Sequence, residues 1–174
     1  TGNGRMAIEF LDSSVVRLTE HSKIIIDDFV YDPDPNKSKL ALSMASGTAR
    51  FITGRLAGIK KENIFIKTPS ATIGIRGTDF TTTVDELGRS LVILLPDAMG
   101  NASGEISVTT WSGTEILDKP FQATMVSTFE SRPTKAVVLG NLTLELIDNM
   151  LIVNKPPAIV EAEAEQRGET TSDL

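Results

Sequence analysis

Asn63-Ile-Phe-Ile-Lys-Thr-Pro-Ser-Ala-Thr-Ile-Gly-Ile-Arg-Gly-Thr-Asp-Phe80 is the stretch whose reading decides the fold. Its first residues alternate, with Ile64 and Ile66 on one side and Phe65 and Lys67 on the other, the period of a half-buried strand. Pro69 lacks a ladder donor, so the strand ends, bulges or lies at an edge there. Alternation resumes with Ile73 and Ile75, and Gly74 and Gly77 interrupt it. Glycine inside a strand marks a bulge, a tight bend or the close approach of another backbone. Two glycines around one arginine therefore describe a strand that turns a corner while carrying a charge inward. Arg76 with Asp79 then reads either as an anion or partner site or, the favoured reading, as a buried guanidinium clamping the bend through several hydrogen bonds.

The same residues resemble a known family. Thr68, Pro69, Ala71, Gly74, Arg76, Gly77, Thr78, Asp79 and Phe80 stand as Thr-Pro-x-Ala-x-x-Gly-Ile-Arg-Gly-Thr-Asp-Phe, which is similar to the central signature of the FecR domain family. Leu11-Asp-Ser-Ser-Val-Val-Arg-Leu18 resembles the family's opening hairpin, and Ser46-Gly-Thr-Ala-Arg-Phe51 resembles its middle strand. The resemblance covers about residues 6 to 95. It implies an all-β, solenoid-like or sandwich-like module without known catalysis. The family's best-known members are periplasmic arms of iron-transport anti-sigma regulators. Others are short free-standing versions in envelope proteins and in structural proteins of tailed phages.

Composition narrows the class of function. The 174 residues suffice for one domain with a real core. Formal charge is −6 with both signs interspersed, which argues against a nucleic-acid partner, because phosphate binding needs a basic footprint. There is no cysteine, so disulfides, thiolate metal sites and thiol nucleophiles are excluded. No apolar run reaches the about 18 residues of a membrane span. Thr1 stands where an initiator Met would, which points to a processed chain or a fragment. One Trp, one Tyr and seven Phe leave Val, Ile, Leu and Thr to fill the core, as suits strands.

Outward from the central stretch, strand signals recur with polar or glycine turns between them. Residues 6–11 and 14–19 read as a hairpin, and Lys23–Tyr31 as a β-branched strand. The loop 32–38 follows, rich in proline and aspartate. Leu40–Ala45 alternates, Gly47 breaks it, and Thr48–Thr53 resumes. Residues 54–62, with the basic pair Lys60-Lys61, read as a surface connection. Thr81–Val84 and Leu91–Leu95 form a second hairpin, whose later strand is apolar on both faces. Glu105–Trp111 and Thr114–Leu117 flank a two-residue turn at Ser112-Gly113. Gln122–Phe129 and Ala136–Leu139 complete the strands. From residue 140 the pattern becomes helical, with Asn141 or Thr143 as cap and Leu142, Leu146, Ile147, Met150 and Leu151 at helical spacing. Pro156-Pro157 stops it, and Glu161–Leu174 reads as an acidic arm for a neighbouring chain to hold.

Other chemistry is weaker. Asp27, Asp28, Asp32, Asp34 and Asn36 are candidates for a calcium site, and the last three imitate the start of a calcium loop, yet Lys37 and Ser43 stand where its glycine and glutamate belong. His21, the one histidine, has no second imidazole or thiolate to share a metal and no nucleophile to activate. Asp85-Glu86 sits in a hairpin turn, where acids are expected without a glycosidase.

The expectation is thus a mainly β domain, solenoid-like or sandwich-like and antiparallel, over residues 1–139, with a short helical or extended C-terminal arm over 140–174. No catalytic residue, metal site or cofactor is expected, and no enzyme activity. Partners are proteins or copies of the chain itself, as a homo-oligomer or part of a larger complex, in a virion or outside the cytoplasm at the periplasm or cell surface. Two roles follow from the resemblance. The first is a structural component of a tailed-phage virion or envelope complex, since the regulator type's cytoplasmic helices and membrane span are not evident. The second is the extracytoplasmic arm of an iron-transport anti-sigma system.

Overall fold

A computed structural model describes residues 1–54 and 63–151, with the side chains of 148–151 left aside. The chain is mainly β, a curled mixed sheet of twelve strands with one short helix. The strands are β1 (Met6–Glu9), β2 (Val15–Leu18), β3 (Lys23–Val30), β4 (Lys39–Ile52), β5 (Ile64–Lys67), β6 (Thr72–Arg76), β7 (Asp79–Val84), β8 (Ser90–Leu94), β9 (Glu105–Thr110), β10 (Gly113–Leu117), β11 (Gln122–Val126) and β12 (Val137–Val138), followed by α1 (Leu144–Leu151). The basic pair Lys60-Lys61 and the acidic arm lie outside the described residues.

The organising element is β4, fourteen residues long where alternation suggested two separate strands. Its first half pairs with β3 and β5, and its second half with β2 and β7. One continuous strand therefore belongs to two layers. One layer runs β3-β4-β5-β6-β9-β10 and the other β1-β2-β4-β7-β8-β11-β12. Leu40, Leu42 and Met44 face the core before the bend, and Ala49 and Phe51 after it. The inward face changes from even to odd positions. In a strand of period two that requires a slip of one residue, and Gly47, at φ +93°, supplies it.

The layers close on Leu18, Leu42, Ile64, Ile66, Ile73, Phe80, Leu94 and Ile106, all fully buried. Phe51 stacks on Phe80 with ring centroids 5.0 Å apart. Among the described residues all strand pairs are antiparallel except β4 with β5, which are parallel in the register Leu40↔Ile64 to Ser43↔Lys67. A parallel neighbour needs a crossover rather than a tight hairpin.

The hairpin after residue 105 turns one position earlier than its glycine suggested. Gly113 already pairs with Thr110, so Trp111 and Ser112 form the tip. Trp111 is 80% exposed there, edge-on to Phe129 at 6.0 Å. In β8 the outward Leu91 and Ile93 are partly covered and the inward Val92 and Leu94 are fully buried. Part of that cover comes from α1, whose start is capped by Thr143 Oγ1 accepting from Leu146 N–H at 3.2 Å. Ile147 and Leu142 pack with Ile93, Leu95 and Phe121, whereas Leu146 stays half exposed.

Two buried hydroxyls, those of Thr78 and Thr82, lack a partner among the described residues, and Thr82 is the one inside the core. Thr82 is fully buried between the layers and its hydroxyl has no hydrogen-bond partner among the described residues. An unsatisfied buried hydroxyl costs about 1–3 kcal/mol. Thr82→Val is expected to raise the melting temperature by about 2–6 °C, at about 2–4 °C per kcal/mol for a chain of this size. A thermal melt that fell instead would mean the hydroxyl is satisfied in solution.

Candidate functional site

The signature residues occupy two structural devices at opposite ends of β6. At the first, Thr68 to Ala71 form the turn between β5 and β6. Thr68 N–H donates to Ala71 C=O at 2.9 Å, and Ala71 N–H donates to Thr68 Oγ1 at 3.0 Å. Ser90, at the start of β8 in the other layer, donates its hydroxyl to Thr68 Oγ1 at 2.7 Å and sits 2.7 Å from Ser70 Oγ. Three buried hydroxyls thus tie one layer to the other. Pro69 itself is exposed in the turn, where its missing donor is not needed. Gly74, between the buried Ile73 and Ile75, lies against Ser107 of β9.

At the second device, Gly77 and Thr78 alone carry the chain from β6 in one layer to β7 in the other. Gly77 adopts φ +56°, the left-handed conformation glycine takes without penalty. Thr78 then locks the corner. Its N–H donates to Thr53 Oγ1 at 3.2 Å, and its C=O accepts from Thr53 N–H at 3.0 Å and from the Thr53 hydroxyl at 2.7 Å. Asp79 N–H donates to Ser103 Oγ at 2.9 Å, and Phe80 enters the core.

The arginine in this clamp is not the one expected. Arg76 is exposed at the end of β6, in register with Glu105 of β9. Asp79 instead receives Arg50, with Nε–H donating to Oδ1 at 2.8 Å and Nη2–H to Oδ2 at 2.6 Å. The pair is enclosed, with side-chain exposures of 9% and 17%. The reason is strand parity. Ile73 and Ile75 point inward, so Arg76 must point outward from its layer. Ala49 and Phe51 point into the core, which puts Arg50 on the outward face of β4, and Phe80 does the same for Asp79 on β7. Ile52 is the direct partner of Asp79 and Arg50 that of Thr81, so Arg50 and Asp79 are diagonal neighbours within reach of a long side chain. The signal available in the sequence was Ala-Arg-Phe in the middle-strand resemblance at residues 49–51.

A guanidinium held in both arms of a carboxylate is a clamp. The remaining acidic candidates are likewise occupied. Asp32 Oδ1 accepts from Asp34 N–H at 2.8 Å, and Asp34 Oδ1 from Asn36 N–H at 3.0 Å, so these oxygens brace their own loop. Among the described residues no group of three or more His, Asp or Glu is placed to hold a metal ion. For Asp85, partial desolvation pushes the pKa up. The Arg89 side chain at 2.6 Å and the amides of Arg89 and Leu87 outweigh it and hold the carboxyl below its usual range. A general acid of a glycosidase needs the opposite shift. His21 occupies a turn, exposed and at φ +55°.

The described residues thus form two layers that turn at Gly47 and Gly77 and are pinned by hydroxyls and the enclosed Arg50–Asp79 pair. The model of the family described as FecR protein matches residues 1–97, more than half of the 174 residues, and the chain belongs to the FecR family. No curated protein matches the sequence. Two crystal structures of anti-sigma-factor candidates from Parabacteroides distasonis ATCC 8503 share the fold. One, at 13% identity and TM-score 0.56, aligns over 97% of this chain and 90% of its own. The other, at 14% identity and TM-score 0.54, aligns over 79% of this chain, which spans only 57% of it. At these identities the two structures show the shared fold. Among the described residues no helix is long and apolar enough to cross a membrane, which leaves membrane-spanning strands unaddressed.

Proposed function

We propose that this chain is the protein-binding extracytoplasmic arm of an anti-sigma regulator, working by recognition and without catalysis. One observation carries the reading: a FecR-family chain shares its fold over nearly its whole length with a candidate of that regulatory class. The acidic, cysteine-free composition supports protein rather than nucleic acid as partner. Paired hydroxyls, the Gly77-Thr78 corner and the Arg50–Asp79 clamp support a rigid body that presents its edges and loops. Such a body relays a signal by being held in one orientation, with the change of state occurring in the partners it joins.

The partner in this reading is the extracytoplasmic signalling domain of an iron transporter. Titration of the purified full chain with such a domain from the same genome, followed by calorimetry, is expected to give saturable binding in about the micromolar range typical of transient regulatory contacts. No heat and no chemical-shift change at millimolar domain, together with recovery of the chain from purified phage particles, would replace this reading with the virion one.

A further inference from the structure

We propose that β3 is a dimerisation edge that pairs antiparallel with β3 of a second copy, joining two of the β3-containing layers into one continuous sheet. Among the described residues β3 is bonded on one side only, to β4, and it is eight residues long. The other edges are less open. β1 has four residues, β12 two and β10 five, and the Glu115 side chain of β10 accepts the Ala136 N–H at 2.8 Å. An open, apolar edge is a template for another strand.

The occupant follows from the order of residues along the edge. A two-fold axis normal to the sheet brings residue i opposite residue j of the same parity, because facing residues must share a face. With the axis at Ile25, Lys23 stands opposite the second copy's Asp27, Ile24 opposite its Ile26, and Ile25 opposite itself. Both ends of the window then carry one cation against one anion. The faces agree with this register. Ile24 and Ile26 pair with Met44 and Leu42, which face the core. Ile25 pairs with Ser43, and Asp27 receives the Ser43 hydroxyl at 2.6 Å, so Asp27 lies on the face of Ile25.

The window also has natural limits. At one end Ser22 is tied to Thr1, its N–H donating to Thr1 Oγ1 at 2.8 Å. The ladder to β4 shifts between Lys23 and Ile24 at that end and between Ile26 and Asp28 at the other, where it passes over Asp27 and Asp28 is drawn to Lys39 at 3.0 Å. Between them Ile25 and Ile26 are each 48% exposed. Ile26 is the more telling, since it is half exposed although it stands opposite the fully buried Leu42. A second β3 would cover it.

Sedimentation velocity of the full chain across a concentration series tests this, and the test does not depend on the transporter partner. The wild type is expected to dimerise. Lys23→Asp alone and Asp27→Lys alone each place two like-charged pairs across the axis and are expected to weaken the dimer by about tenfold or more. The double variant Lys23→Asp/Asp27→Lys is expected to recover it. Ser43→Ala removes the hydrogen bond of Asp27 without changing charge, and is expected to leave the dimer intact. A monomer at every concentration, a dimer indifferent to both single reversals, or a double variant no better than the singles would overturn the proposal.

Discussion

Arg50→Ala is expected to lower the melting temperature by about 10 °C, while Arg76→Ala leaves it nearly unchanged. Removing one member of an enclosed ion pair strands the other charge, at about 3–5 kcal/mol. Asp79 is 17% exposed, so part of that cost is relieved by water and the lower end applies. At about 2–4 °C per kcal/mol for a chain of this size, the shift is near 10 °C. Arg50→Lys keeps the charge and loses the two-armed geometry, and should fall between. Arg76 is exposed at the end of β6, and surface substitutions of its kind stay within about 0.5 kcal/mol. Thermal melts of the three variants side by side decide the matter. Equal losses for Arg50→Ala and Arg76→Ala would mean that the motif arginine shares the clamp.

Gly47→Ala is expected to be of similar size for a different reason. At φ +93° an L side chain is strained, at about 1–3 kcal/mol. The added Cβ would also lie 2.2 Å from Ser22 Oγ and 2.5 Å from Ser22 Cα. A side-chain overlap could swing away, but overlap with a backbone atom forces the start of β3 from β4, at about 1–3 kcal/mol more. The Ser22 hydroxyl accepts from Thr48 N–H at 3.1 Å, so the shift also breaks that bond. Ser22→Gly in the same chain removes only the hydroxymethyl overlap and is expected to restore a minor part of the lost stability. A Gly47→Ala protein melting within about 2 °C of wild type would show that the bend tolerates ordinary residues, against the stated strain.

Much of the β architecture was legible because strands announce themselves by a period of two. Ile64/Ile66 and Ile73/Ile75 are buried as that period requires, and hairpin turns fall at or next to their glycines. Thr143, read as one of two cap candidates, caps α1. The parity rule also held the answer for Arg76: two isoleucines inward make the next residue outward. The inward reading of that arginine gave its flanking glycines more weight than the alternation they interrupt. Gly77 bends the chain to change layers, which needs no charge at its centre.

What the sequence by itself determined is local: which segments are strands, which side of each faces apolar surroundings, where glycine lets the chain turn, and membership in a family of β modules. These follow from alternation and backbone conformational freedom, which act over a few residues. Which strands become neighbours was decided by the tertiary structure alone. Arg50 meets Asp79 across twenty-nine residues, Ser90 meets Thr68 across twenty-two, and β4 serves both layers because Gly47 flips its inward face. Each of these contacts forms only when burial of the shared core offsets the entropy of bringing distant segments together, a balance that no window of sequence contains.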